Sequence, residues 1–215
     1  MIDLHTHTLF SDGELLPSEI VRRAAVKGYT AIALTDHADA SNIDFIIPRI
    51  VLVAKELNLT ERIKVIPGIE LTHCPPEHIK GLVEKARELG AKIVVVHGET
   101  PVEPVADGTN RIAIESMTDI LAHPGFIKEE DVKLARELGV YLEISARKGH
   151  SLANGYVAKA AMRCGANLVL NSDSHSPSDL LDSCMARIVA KGAGLEKDDI
   201  IKMEKNANDI VERIR

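Results

Sequence analysis

Apolar runs alternate with amphipathic segments along the whole chain, the order expected of repeated strand–helix–strand units in a parallel sheet covered by helices. Short runs rich in Val and Ile mark strands near residues 2–6, 31–36, 64–69, 92–97, 118–122, 140–145 and 167–172. Between them, helical spacing of apolar positions predicts helices over 18–27, 43–57, 76–89, 129–138, 152–164 and 178–191, with a closing helix over 197–214. The first opens behind Pro17 and stops at Gly28, while Gly90, Gly139 and Gly165 stand where a helix must end before the next strand.

Composition adds limits to this picture. A 45% hydrophobic share over 215 residues, with no low-complexity stretch, is enough to bury a core as one domain over 1–215. No apolar run approaches the ~20 residues of a membrane span, and a strand-like run begins at once, leaving no room for a signal peptide. The expectation is a soluble, cytoplasmic protein with no membrane partner. Cys74, Cys164 and Cys184 are odd in number and lack C-x-x-C spacing, so they are read as packed free thiols and not as a disulfide framework or thiolate zinc site. A net charge of −6 argues against a duplex nucleic-acid partner, which wants a broad basic face.

The candidate chemistry sits where the strand-like runs end. His5, His7, Asp12, His37, Glu70, His97, His123, Asp173 and His175 recur at or just beyond those ends, and six of the nine histidines are among them. Mixed imidazole and carboxylate donors suit zinc, iron or manganese. His5 and His7 are spaced to point one way from an extended strand while Ile2 and Leu4 point the other, and Asp173 with His175 repeats the spacing.

These positions also decide the architecture. In an open sheet, six strand ends spaced ~4.8 Å apart would spread over roughly 24 Å, too far for metal bonds of ~2 Å. Closing the sheet gathers the carboxyl-terminal ends round one mouth. The expected fold is therefore a seven-stranded (β/α)7 barrel, an α/β TIM-like form one unit short of eight. Alternation then places Ala31, Ala33 and Thr35 inside with His37, Ile93 and Val95 inside with His97, and Leu121 inside with His123. Asp36 points away from the cluster, as a supporting residue.

Six motifs, D-L-H-T-H-T-x-x-S-D-G at 3–13, L-T-D-H at 34–37, G-I-E at 68–70, V-H-G at 96–98, A-H-P-G at 122–125 and S-D-S-H at 172–175, follow one another in order. In them the chain resembles the polymerase and histidinol phosphatase (PHP) superfamily over almost its whole length. That resemblance implies a distorted barrel whose two to three divalent ions (Zn, Mn or Fe) hydrolyse phosphoesters. One metal would take His5, His7, Glu70 and Asp173, a second Glu70, His97 and His123, and a third Asp12, His37 and His175. Glu70 would bridge two of them. Glu70, Asp173 and His175 would act catalytically through a metal-bound hydroxide that attacks phosphorus in line.

A phosphate also needs a fixed cation. Arg147 and Lys148 follow the run over 140–145, which carries no ligand, and Arg111 follows the run over 92–97; His150 shares the loop of Arg147. These four are the candidate substrate contacts, with His73 and His78 weaker ones. The expected function is hydrolysis of a small phosphorylated substrate, in the manner of a histidinol phosphatase. The alternatives are a phosphodiesterase acting on nucleotides or short oligonucleotides and, from a different class, a non-catalytic RNA-binding barrel of the ribonuclease P subunit type.

Overall fold

The computed structural model describes residues 1–214. Its sheet runs β1 (Ile2–Asp3), β2 (Ala31–Leu34), β4 (Lys64–Leu71), β5 (Ile93–His97), β6 (Ile120–Ala122), β7 (Tyr141–Ser145) and β8 (Leu168–Asn171), every neighbouring pair parallel. The short β3 (His37–Ala38) continues the line of β2 after a break and also pairs with β4, with His37 opposite Glu70. Helices α1 (Pro17–Val26), α2 (Ile43–Thr60), α3 (Pro76–Glu88), α4 (Thr109–Glu115), α5 (Glu129–Leu138) and α6 (Asn154–Cys164) alternate with the strands. Two more, α7 (Ser183–Gly192) and α8 (Lys197–Arg213), follow the last strand. The result is a nearly closed barrel of seven parallel strand positions.

Side-chain and loop hydrogen bonds close the barrel between β1 and β8, where no regular ladder forms. Leu4 N donates to Asn171 Oδ1 (2.9 Å), Ser172 N donates to the Asp3 carboxylate (3.2 and 3.3 Å), Asp173 N to His5 O (3.0 Å) and His7 N to Ser174 O (2.9 Å). An isolated bridge joins Thr6 to Ser174.

Two apolar layers result. Ile32, Leu34, Val94, Val96, Leu142 and Ile144 pack outward against the helices, while Leu4, Ala31, Ala33, Ile66, Ile93, Val95, Ile120, Ala122 and Val169 fill the barrel. Ala207 and Ile210 of α8 join that inner group, and Lys64 Nζ at the start of β4 donates to the carbonyls of Val211 and Ile214. The closing helix therefore plugs the end of the barrel opposite the carboxyl-terminal mouth. Among the described residues, no helix is long and apolar enough to cross a membrane.

Several expectations change. Leu121 faces the helices and not the interior. His123 escapes strict alternation because it lies beyond β6 at φ 27°, a left-handed twist that turns its ring inward. Leu4 likewise packs inside the barrel, and regular pairing of β1 stops at Asp3, which frees His5 and His7 from strand parity. The helix expected over 178–191 starts at Ser183, and α6 begins at Asn154 behind a 3-10 turn, His150–Ala153. Helix α4 has no counterpart in the sequence reading. Its seven residues include β-branched Thr109, Ile112 and Ile114, poor helix formers that hold this shape because Ala113 and Ile114 are buried. Cys74 and Cys164 are buried free thiols as expected, but Cys184 is exposed.

Asp3 makes the seam pH-sensitive. It is 1% exposed, and burial pushes its carboxyl up from 3.8 to about 6 even though it accepts backbone N–H groups from Ser172 and His5. Its folded pKa is raised, so its stabilising contribution is complete below the unfolded value and is lost as pH rises through about 6. Asp3→Asn should therefore gain stability over the parent above about pH 7, by up to about 3 kcal/mol, and gain little near about pH 4. Urea denaturation of both proteins at the two pH values checks this; a difference independent of pH would show that Asp3 does not titrate on folding.

Candidate metal centre

All nine candidate ligands converge at the mouth. His5 and His7 follow β1, His37 lies on β3, Glu70 on β4, His97 ends β5, His123 follows β6, and Asp173 and His175 follow β8. Asp12 arrives on the 8–13 turn. That turn is drawn in by Asp36, whose carboxylate accepts from Thr8 N (2.7 Å), Thr8 Oγ1 (2.8 Å), Ser11 N (3.1 Å) and Ser11 Oγ (2.8 Å). Asp36 thus points away from the cluster, as alternation predicts, and its work is to place Asp12. Gly13 completes the turn; a Cβ there would lie 2.4 Å from His7 O.

Two carboxylates organise the histidines. Glu70 Oε2 lies 3.3 Å from His5 Nε2, 3.6 Å from His7 Nε2 and 2.6 Å from His37 Nδ1; Oε1 faces His97 Nδ1 (3.3 Å) and His123 Nε2 (3.7 Å). Asp173 Oδ1 lies 3.3 Å from His7 Nε2 and 3.8 Å from His5 Nε2, and Oδ2 lies 3.7 Å from His123 Nε2. Asp12 Oδ1 sits between His37 Nε2 (3.5 Å) and His175 Nε2 (3.2 Å). Five sets of converging donor atoms result: His7, Asp12, His37 and His175; His5, His123 and Asp173; His5, His7 and Glu70; Glu70, His97 and His123; and, more exposed, His73, His97 and Glu103. Asp173 and His123 hold left-handed backbone (φ 54° and 27°), strain that persists where surrounding structure aims a functional side chain.

Burial and charge oppose each other here. Burial would raise the Glu70 carboxyl, but His5 and His37 hold it well below the carboxylate range; Asp173 is lowered likewise by His5 and His7. Burial lowers His5 too, yet Glu143, Glu70 and Asp173 together raise it well above its ordinary value. His7 is driven down to about 3 by burial and by the neighbouring His37, and His123 falls well below its usual value through burial and His97. His7 and His123 are therefore neutral imidazoles with lone pairs to donate.

A further carboxylate was not assigned from sequence. Glu143 on β7 is fully buried; its Oε1 meets His5 Nδ1 (2.9 Å) and accepts from Asn171 Nδ2 (2.8 Å), and its Oε2 accepts from His123 N (3.1 Å). It binds the back of the His5 ring and leaves Nε2 facing Glu70 and Asp173, the carboxylate–imidazole arrangement that orients a metal ligand. The available signal was an acid inside the apolar run Tyr141–Ser145, since a charge buried on a strand needs partners.

The candidate substrate contacts separate. Arg147 and His150 line a cleft of about 200 Å³ at the mouth, with Asp12, His37, Thr72, His73, His97, Glu103, His123, Asp173 and His175. Arg147 donates to His175 Nδ1 (2.7 Å) and to Asp173 O (3.3 Å). His150 stacks on His123 at 4.0 Å and meets Thr100 Oγ1. Lys148 is exposed and outside the cleft lining, as is His78 on α3. Arg111 is not brought to the cleft: α4 carries it, and its guanidinium is taken up by Glu115 (2.6 Å) and Asp131 (3.1 Å). A larger hollow of about 290 Å³ lies away from this chemistry, between the β1–β8 seam and α7 and α8.

The model of the PHP domain matches residues 3–107. A Methanocaldococcus jannaschii protein described as uncharacterized is 50% identical over 200 residues, covering 92% of each chain. The chain belongs to the PHP domain family. A probable phosphatase of Thermoanaerobacter sp. strain X514 is 28% identical, covering 95% of this PHP chain and 91% of that protein. Among solved structures, a subunit in an archaeal ribonuclease P complex with mature tRNA superposes with a TM-score of 0.77 at 17% identity, covering 100% of this chain and 91% of that one. Histidinol phosphate phosphatase from Lactococcus lactis, with zinc, L-histidinol and phosphate, superposes at 0.62 and 18% identity, covering 91% and 94%. At these identities both structures support the barrel alone.

Removing the anchor of the 8–13 turn tests how this PHP mouth is built. Asp36→Ala leaves four donors without their acceptor and should cost about 3 kcal/mol in urea denaturation. A loss below about 1 kcal/mol would mean that the turn holds itself.

Proposed function

We propose that the chain is a metal-dependent phosphoesterase acting on a small phosphorylated metabolite. The observation that carries this reading is a set of orphaned atoms. Among the described residues, nine buried side-chain nitrogen and oxygen atoms have no hydrogen-bond partner, and eight of them belong to His5, His7, Glu70, His97 and His123. Several lie at ion-pair distance without hydrogen-bond alignment, the disposition of donors aimed at a common cation.

The donor set fits zinc, manganese or iron, with oxygen and imidazole nitrogen and no thiolate. Glu70, with one oxygen toward His5 and His7 and the other toward His97 and His123, is the proposed bridge; Asp12, His37 and His175 form the third set. Bound there, divalent ions supply Lewis acidity toward a phosphoryl oxygen and lower the pKa of water. Arg147, fixed beside His175 and Asp173, holds the phosphate through charge-assisted hydrogen bonds. His150, stacked on His123, lines the same cleft. The cleft volume of about 200 Å³ suits a small ester, and the similarity to a probable phosphatase supports this class.

A second reading is an RNA-associated scaffold, favoured by 28% identity to ribonuclease P protein component 3 of Methanosarcina barkeri. The complete ligand set and a net charge of −6 favour the enzyme.

Strong chelation should abolish turnover of a phosphorylated-metabolite panel, and zinc, manganese or iron should restore it; full activity in metal-free protein would overturn the proposal. Glu70→Gln should remove turnover and lower metal content together. Arg147→Ala should keep metal stoichiometry, weaken inhibition by inorganic phosphate and lower kcat/KM by about 1.5–3 kcal/mol of transition-state stabilisation. Unchanged phosphate inhibition in that variant would remove Arg147 from the anion site.

A further inference from the structure

One acidic side chain reaches the cluster from outside the nine ligands and from outside the strands. Glu103 lies on the 98–108 segment between β5 and α4, whose base is firmly anchored. Gly98 N donates to Ala122 O (3.0 Å), Glu99 N to Asn110 Oδ1 (3.0 Å), Asn110 N to Glu99 Oε1 (2.9 Å) and Asn110 Nδ2 to Pro124 O (2.8 Å). Gly125, at φ 61°, lets the two loops touch, since a Cβ there would fall 1.9 Å from Glu99 O. The tip of the segment is different. Residues 101–104 are exposed, and among the described residues Glu103 is the only side chain of 101–107 that makes a hydrogen bond or ion pair.

That single carboxylate meets three imidazoles. Its Oε2 accepts from His73 Nε2 (3.1 Å) and lies 3.0 Å from His97 Nε2, and its Oε1 lies 3.5 Å from His150 Nε2. His73 is held at φ 50°, a strained backbone for a non-glycine residue. His97 consequently stands between two carboxylates, with Nδ1 3.3 Å from Glu70 Oε1 and Nε2 3.0 Å from Glu103 Oε2. A neutral imidazole carries one proton and one free lone pair, so only one of its nitrogens can donate to a cation.

We propose that Glu103 is a positioning residue: its carboxylate, at ion-pair distance from His97 Nε2 but without hydrogen-bond alignment, draws the ring proton to Nε2 by its charge, presents the Nδ1 lone pair to the position shared by Glu70 and His123, and in the same contact ties the 101–107 tip over the mouth. The proposal rests on the metal-dependent reading above. Glu143 does the corresponding work for His5 from a strand and fully buried, so that ring is fixed permanently. Glu103 is 37% exposed on a tip where, among the described residues, no other side chain makes a hydrogen bond or ion pair, so occupancy of the Glu70–His97–His123 position is coupled to the closed position of this segment.

Zinc titration of apo-protein against a chromophoric chelator tests this, with circular dichroism confirming that each variant is folded. Glu103→Ala should weaken one zinc equivalent by about 10–100-fold and leave the others unchanged. Glu103→Gln, which keeps an oxygen beside Nε2 without the full charge, should restore part of that affinity. His73→Ala should alter it only a few-fold, and excess zinc should recover the kcat of Glu103→Ala. Wild-type affinity for every equivalent in Glu103→Ala would overturn the proposal. So would loss of the same equivalent in both Glu103→Ala and His73→Ala without rescue by Gln, because both residues would then be direct ligands. A wild-type protein that takes up no zinc, manganese or iron would instead overturn the metal-dependent reading itself.

Discussion

Burying a polar atom without a partner costs about 1–3 kcal/mol, and more where the group is charged. Eight such atoms sit on five side chains at one end of this barrel, and a domain of this size is stable by only about 5–15 kcal/mol in total. On the proposed reading, cations would be as much part of the packing as the apolar layers are, meeting nitrogens and oxygens that otherwise stand unpartnered. The electrostatics show the strain of their neighbourhood: His5 is pulled up by three carboxylates while His7, a few ångströms away, is driven down to about 3.

The fold serves that convergence. Seven strand positions nearly close the sheet, and the regular ladder fails between β1 and β8. There Asp3 and Asn171 lend side chains in place of backbone pairing. The same break in regularity releases His5, His7, Asp173 and His175 from strand geometry and lets four candidate ligands from two chain segments share one space. Helix α8 compensates at the opposite end, where Ala207 and Ile210 seal the interior.

The convergence of the nine candidate residues was readable in the sequence because all but Asp12 lie at or just beyond the end of an apolar run, and alternation was right where the strands are regular: Ala31 and Ala33 with His37, Ile93 and Val95 with His97. It failed at Leu121 and Leu4, where the chain leaves the strand before the ligand and a left-handed or unpaired residue redirects the side chain. Arg111 was misjudged for a related reason. Helix α4 is set by tertiary packing of Ala113 and Ile114 against weak local propensity, and it carries Arg111 to Glu115 and Asp131. Glu143 meets His5 138 residues away along the chain, and no local pattern encodes such pairing; Glu103 stands only six residues beyond His97, but on an irregular loop that carries no strand or helix period to place it.

The central claim is that the mouth of the barrel is completed by metal, and thermal unfolding with and without it is the direct measurement. A ligand present at about 1,000 times its Kd stabilises the folded state by about 4 kcal/mol per site. Apo-protein titrated with zinc, manganese or iron should therefore show a midpoint that climbs by many degrees and saturates at two to three equivalents. A midpoint that stays constant across the titration, in a protein shown to be folded, would contradict the account.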